Sequence, residues 1–177
     1  MKAQREFPRF IISAKGTRWV EQGHPWIYDP EIVSAESAES AENGTLVDAV
    51  SEKGRYLGTG FLSPESKIRI RLVSRNANDR FDAVFWKRRI KYAWDYRKTV
   101  MAEDISCCRV IFGEADGFPG LTVDRFNDIL VAQTLSVDVR EQHGTVHLLG
   151  PDQQARARGR NNAHVVNLNL LTGIQVA

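Results

Sequence analysis

An α+β fold in two units is predicted by three features of this sequence. The first 75 residues alternate short apolar runs with glycine, proline and asparagine turns, a pattern typical of a small barrel or sandwich. A stretch of about 30 residues without glycine or proline follows, and its apolar side chains recur at helical spacing. Further short strand patterns come after it. The change of period near residues 74–78 predicts the boundary between the units.

The first unit is predicted to consist mostly of strands. "RFIISAKG" is apolar and β-branched, and "TLVDAVSEKGRYLGTGFLS" alternates like a hairpin that turns at Lys53-Gly54. Between them, the small and acidic residues from Ser34 to Gly44 indicate a solvated loop.

The clearest strand is "SKIRIRLVS", which ends the first unit. Its period of two places Ile68, Ile70 and Leu72 on one face, with lysine and arginine side chains on the other. The sequence therefore predicts a strand with one buried and one basic face.

The second unit is predicted to form strands around one basic helix. Asn78 or Asp79 can cap this helix, and Asp82 suits its first turn. Its apolar residues lie on two sides, which favours a helix packed between two layers. Strand patterns in "CRVIFG" and "NDILVAQTLSVDV" follow it, and Asn127-Asp128 indicates a turn.

Composition narrows the functional classes. The 177 residues are 42% hydrophobic, so the chain can form a buried core. The formal charge of +2 does not select a partner, so the distribution of charge matters more. The amino terminus has no apolar signal region, and no run reaches the roughly 18 apolar residues of a membrane span. We expect a soluble, cytoplasmic protein.

The stretch "FGEADGFPGLTVDRF" could be an acidic site, because it contains Glu114, Asp116 and Asp124. Its Asp-Gly and Pro-Gly pairs are turn dipeptides, however, and no histidine lies nearby to complete a metal-binding set. The turn interpretation is favoured over the site.

Other candidate motifs are weak. "GTGFLS" lacks the third glycine and the following helix of a dinucleotide site, so its glycines indicate close packing of strands. Cys107 and Cys108 are adjacent and predict two small residues in a buried strand. His24, in "GHPWIY", is interpreted as a core or turn histidine.

The basic and aromatic residues of the first unit have two possible roles, RNA binding or simple exposure to solvent. Phosphate contacts need lysine or arginine on one surface, and RNA bases need exposed aromatic rings. The alternative is a set of solvated strand faces that block edge-to-edge association.

Three segments in order resemble one known family. "GHPWIYDPEI", "GRYLGTGFLSPESKIRIRLVS" and "RVIFGEADGFPGLTVDRFNDILVAQTLS" are similar to the N-terminal half of the RlmI-type 23S ribosomal RNA cytosine-5 methyltransferases. That resemblance implies a β-rich PUA pseudobarrel, which binds RNA, followed by a partial strand-strand-helix-strand-strand domain. It also implies residues 1–75 for the PUA domain, 76–136 for the central domain, and 137–177 for a divergent tail, frameshifted or disordered.

The same resemblance implies a chain without its catalytic domain. S-adenosylmethionine is the cofactor of full-length relatives, and the domain that binds it would follow the matched segments. We therefore expect no cofactor in this chain, no catalytic residue, no bound metal and no methyl transfer by the chain alone. Cys107 and Cys108 precede "RVIFGEADG" and do not match the family's catalytic cysteine.

The function expected from this resemblance is recognition of ribosomal RNA, with no membrane partner. Two alternatives remain, a free-standing RNA-binding adaptor and a protein-interaction module that does not bind RNA. The predicted RNA-binding residues, chosen by charge and aromatic character, are Lys15, Arg18, His24, Trp26, Lys67, Arg69 and Arg71.

Overall fold

The computed structural model describes residues 5–134 and the backbone of residues 163–167. The chain divides into two compact units, Met1–Asp79 and Arg80–Ala177, and each has its own sheet. The predicted α+β class is confirmed. No helix of the described residues is both long enough and apolar enough to cross a membrane.

The first unit contains a six-stranded sheet with the spatial order β2-β6-β5-β4-β1-β3. Its neighbouring strands are antiparallel except β1 and β4, which are parallel. The strands are β1 (Arg9–Ile12), β2 (Trp26–Tyr28), β3 (Ile32–Glu36), β4 (Leu46–Ser51), β5 (Tyr56–Leu62) and β6 (Ile68–Ser74).

The core of this unit is formed by the inward faces of the strands. Ile12, Val47 and Ile70 are completely buried in it, and Leu72 is buried beside them. The apolar face predicted for the last strand is therefore confirmed, as is the hairpin between β4 and β5 that turns at Lys53-Gly54. β-branched side chains suit these positions because they pack well on a pleated surface.

Two glycines allow β5 and β6 to approach closely. A Cβ atom on Gly60 would lie 2.3 Å from the carbonyl oxygen of Arg71, and one on Gly58 would lie 2.9 Å from that of Ser74. The prediction that the glycines of "GTGFLS" serve strand packing is confirmed.

One helix of the first unit was not predicted. Helix α1 (Ala14–Glu21) begins after Ser13, whose Oγ accepts a hydrogen bond from the amide of Gly16 at 3.3 Å. Gly16 weakens the helical signal, but it lets the helix pack against Ile12 and Glu31. Tertiary packing thus outweighs helix propensity here.

The loop predicted from Ser34 to Gly44 is partly wrong. Its first residues, Ser34 to Glu36, complete β3 and pair with β1. Glu36 accepts a hydrogen bond from Arg9 at 2.8 Å across these strands. A polar edge strand of this kind resembles a loop in sequence because its side chains face water.

The second unit has helix α2 (Ala83–Met101) and a four-stranded antiparallel sheet with the order β10-β9-β8-β7. Residues 163–167 therefore form a strand within the predicted tail, most of which lies outside the described residues. The strands are β7 (Cys107–Phe112), β8 (Leu121–Phe126), β9 (Ile129–Thr134) and β10 (Ala163–Asn167).

Helix α2 starts later than predicted. Asp82 is its N-cap, because its Oδ1 accepts a hydrogen bond from the amide of Phe85 at 2.9 Å. Asp79, predicted as one of two possible caps, instead accepts a hydrogen bond from the Ser74 hydroxyl at 2.6 Å. One side of α2 packs on the sheet through residues that include Ala93 and Trp94.

Candidate nucleic-acid interface

Strands β2 and β6 form one edge of the first sheet and carry much of the predicted RNA-binding set. Ile27 lies opposite Ile70 in this antiparallel pair, and both are completely buried. Trp26 lies opposite Arg71, one position along, so both side chains project from the other face. The structure thus places an aromatic ring and a guanidinium group next to each other.

An aromatic cluster, formed by Trp19, His24, Trp26 and Tyr28, continues this face. The imidazole centroid of His24 lies 6.3 Å from the ring of Trp19, 5.7 Å from that of Trp26 and 6.0 Å from that of Tyr28. His24 Nδ1 lies 3.1 Å from the carbonyl oxygen of Trp26, which holds the imidazole in a turn as predicted. Trp19 is 47% exposed and can accept a stacked base.

Two of the predicted cations have partners within the unit. Arg69 donates to Asp29 Oδ1 from Nε at 2.9 Å and from Nη2 at 2.5 Å. Arg71 donates to the Ser63 hydroxyl at 2.8 Å and to the Ile68 carbonyl at 3.3 Å. Arg69 therefore contributes a partly neutralised charge, while Arg71 also stabilises the connection between β5 and β6.

Three further predicted cations are exposed. Lys15 and Arg18 lie on α1, and Lys15 is one helical turn before Trp19, so these two side chains share a face. Lys67 precedes β6, and its carbonyl oxygen accepts a hydrogen bond from the amide of Asp29 at 3.0 Å. The predicted set is thus distributed over α1, the turn after it, β2 and β6.

The predicted set omits Arg75, and it omits Trp19 although Trp19 is one of the basic and aromatic residues that the sequence shows in the first unit. Arg75 donates to the carbonyl oxygen of His24 at 3.1 Å and so ties the end of β6 to the turn before β2. Helix α1 brings Trp19 next to His24, which is one of the predicted residues. Recognition of α1 from Ser13 and the residues after it would have supplied that signal.

The carboxylates of the "FGEADGFPGLTVDRF" stretch have structural partners. Gly113–Asp116 form a short 3-10 turn, which agrees with the turn interpretation, but Leu121–Phe126, with Asp124, form strand β8. Asp116 pairs with Arg97 at 2.6 Å, and Asp124 with Arg109 at 2.8 Å. Among the residues that the structure describes, no group of three or more His, Cys, Asp or Glu side chains is arranged to hold a metal ion.

The adjacent cysteines differ in environment. Both lie in β7 as predicted, but Cys107 is exposed, so the prediction that both are buried is wrong for it. Alternation along the strand turns Cys108 into the core and Cys107 to the other face. Burial raises the pKa of the Cys108 thiol, which lowers its reactivity as a nucleophile.

Comparison with known proteins gives consistent matches. A family model for a PUA-like domain matches residues 10–75. "Ribosomal RNA large subunit methyltransferase I" of Klebsiella pneumoniae is 33% identical over 141 residues, which cover 79% of this chain and 35% of that protein. The same-named protein of Shewanella denitrificans is 35% identical over 130 residues, 73% of this chain and 32% of the relative. The chain spans about a third of the length of these relatives.

Solved structures agree at the level of the fold. A putative SAM-dependent methyltransferase from Streptococcus mutans has a TM-score of 0.64 and 16% identity, over 77% of this chain and 35% of the other. A second solved structure, a putative methyltransferase complexed with SAH, has a TM-score of 0.64 and 16% identity. The match covers 77% of this chain and 34% of that one.

Proposed function

Because residues 10–75 are a PUA-like domain and the chain is homologous to part of the RlmI-type ribosomal RNA methyltransferases, we propose that it recognises structured ribosomal RNA. The domains proposed for this role are residues 1–75 as the RNA-binding unit and 76–136 as the central unit. The proposed site of action is the cytoplasm, where the ribosomal RNA of the relatives' hosts is made and assembled.

The observation that carries this proposal is the aromatic cluster beside the basic face of β6. Exposed Trp19 offers a stacking surface, and Trp26 is paired across the strands with Arg71. Unpaired RNA bases stack on aromatic side chains, while lysine and arginine contact the phosphates around them. Lys15, Arg18 and Lys67 supply exposed cations for that second role.

We also propose that methyl transfer is carried out by parts of the relatives outside the matched third. Neither cysteine is assigned as a nucleophile. Cys108 is buried with a raised pKa, and both cysteines precede "RVIFGEADG" and so do not match the family's catalytic cysteine. Incubation of the chain with labelled S-adenosylmethionine and 23S ribosomal RNA should leave the RNA unlabelled. Incorporation of label would contradict this part of the proposal.

Neutralising Lys67 and Arg69 together should weaken RNA binding and its dependence on salt. Each phosphate contact removed lowers the slope of log affinity against log salt by about 0.7–0.9. K67Q/R69Q should therefore reduce the slope by at most about 1.4–1.8, because Asp29 already neutralises part of the Arg69 charge. Loss of the exposed Arg69–Asp29 pair should cost little stability, about 1 kcal/mol or less. Arg71 is left unchanged because it also holds Ser63.

The control is K53E, which also lowers the formal charge by two but lies on the exposed turn between β4 and β5. Filter binding to a 23S ribosomal RNA fragment, between about 50 and 200 mM salt, measures the salt slope of each variant. Binding to a neutral polymer is measured alongside. Equal slopes for the two variants would count against a specific face, and equal binding to the neutral polymer would favour a protein-interaction module.

Replacing Trp19 with alanine should reduce affinity for single-stranded ribosomal RNA segments. Stacking of one base on an aromatic ring contributes about 1–3 kcal/mol, so the dissociation constant should rise about 5- to 150-fold. The matched control is V33A, which shortens another exposed apolar side chain of the same unit. Fluorescence titration with a labelled oligonucleotide compares them, and an unaltered constant for W19A would remove Trp19 from the interface.

A further inference from the structure

Helix α2 has a concentration of positive charge, most of it on exposed side chains. Six of its side chains are lysine or arginine and Asp95 is its single acidic residue, a formal charge of +5. The whole chain has a formal charge of +2, so the remaining residues together carry −3. A local excess of this size attracts a polyanion even when the net charge is small.

The charge lies mainly on the side of α2 that faces away from its own sheet. Lys87 and Arg88 are exposed, and the side chain of Lys91 is 70% exposed. The opposite side, with Ala93 and Trp94, packs against the strands. Arg97 is the exception among the cations, because it is buried against Asp116.

Two aromatic rings lie among these cations. Tyr92 is 60% exposed and Tyr96 is 58% exposed, one helical turn further along the same face. Asp95 pairs with Lys91 and with Lys98, and these pairs lower the pKa of its carboxyl group. The guanidinium group of Arg97 lies 5.0 Å from the centre of the Tyr96 ring. Tyrosine is enriched at interaction surfaces because it combines a large apolar ring with a polar hydroxyl group.

The chemistry of this face fits RNA better than protein. Protein interfaces are depleted of lysine at their centres, whereas this surface is centred on lysine and tyrosine. RNA-binding surfaces combine cations for the phosphates with aromatic rings for unpaired bases. Both kinds of group are present on α2 within about two and a half helical turns.

We propose that the outer face of α2, defined by Lys87, Arg88, Lys91, Tyr92 and Tyr96, is a second RNA-binding surface of this chain. This inference rests on the proposed function, recognition of RNA by the chain. The residues that it assigns belong to the second unit, whereas the residues of the proposed function belong to the first. Lys87, Arg88 and Lys91 contact phosphates, and Tyr92 and Tyr96 stack on bases of an unpaired segment. Each unit of the chain would then have an RNA-binding surface of its own.

The test compares K87Q/K91Q with K53E in the full chain, because each lowers the formal charge by two. Loss of two single-strand phosphate contacts should lower the salt slope by about 1.4 and the affinity at 0.1 M salt about 25-fold. The K53E control should keep both values. A Y92S/Y96S variant should weaken binding without changing the slope, and far-UV circular dichroism confirms that each variant folds.

Photo-crosslinking locates the contact directly. RNA that contains 4-thiouridine should crosslink to peptides from α2 in the wild-type chain. Normal binding by K87Q/K91Q and Y92S/Y96S, without α2 crosslinks, would overturn this proposal and would point to a protein partner for the face. If K67Q/R69Q still weakened binding in that case, the proposed function would stand. Failure of the wild-type chain to bind RNA would overturn both.

Discussion

Replacing Asp116 with alanine is expected to destabilise the second unit by about 3–5 kcal/mol, because it leaves a buried guanidinium group without its counter-charge. Arg97 is 8% exposed. Its Nη2 lies 2.6 Å from Asp116 Oδ2, and its Nε donates to the carbonyl oxygen of Arg109 at 2.7 Å. Asp116 also accepts a hydrogen bond from the amide of Phe112 at 2.7 Å. One carboxylate therefore joins the helix, the end of β7 and the turn after it.

Urea denaturation measures this effect, with Trp86 and Trp94 as fluorescent probes in the same unit. The matched control is D124A, which breaks the exposed Arg109–Asp124 pair and should cost about 0.2–1 kcal/mol. A D116N variant keeps the shape of the side chain and separates the effect of charge from that of packing. If D116A and D124A lowered the free energy of unfolding equally, the structural role assigned to Asp116 would be wrong.

Sequence patterns predicted those strands and helices whose own residues follow a clear period. The last strand of the first unit follows a period of two from Ile68 to Leu72, and α2 follows helical spacing without a glycine or proline. The start of α2 was misplaced because Asn78, Asp79 and Asp82 are all good caps, and local sequence cannot choose among them. Hydrogen bonding of Asp79 to Ser74 settles the choice in the folded chain.

The candidate interface was harder to predict because it depends on contacts between distant residues. His24 meets Trp19 and Tyr28 through α1 and β2, and α1 itself exists partly because Gly16 fits against Glu31. The charges of Lys67 and Arg69 were visible in sequence, but the pairing of Arg69 with Asp29 was not. Charge placement therefore identified the strand, and the fold determined which cations are exposed.

The other large effect is expected from G60A, which should destabilise the first unit by about 3 kcal/mol, at the upper end of overpacking substitutions. The new Cβ would lie 2.3 Å from the carbonyl oxygen of Arg71 and 2.8 Å from the Cα of Leu72. Both contacts are with backbone, so rotation of a side chain cannot relieve them. β5 and β6 must separate, and the hydrogen bonds between them must lengthen.

Hydrogen exchange at the amides of β5 and β6 measures that separation, and faster exchange in G60A is the expected result. The control is G54A, where the added Cβ meets nothing within 4 Å and only the backbone φ of +75° is unfavourable. That change should cost about 1 kcal/mol.

Because Arg71 lies opposite Trp26 as well as beside Gly60, G60A should also weaken RNA binding. Unchanged exchange in β6 would mean that the sheet can absorb the methyl group, and the close approach would then not explain why glycine occupies this position.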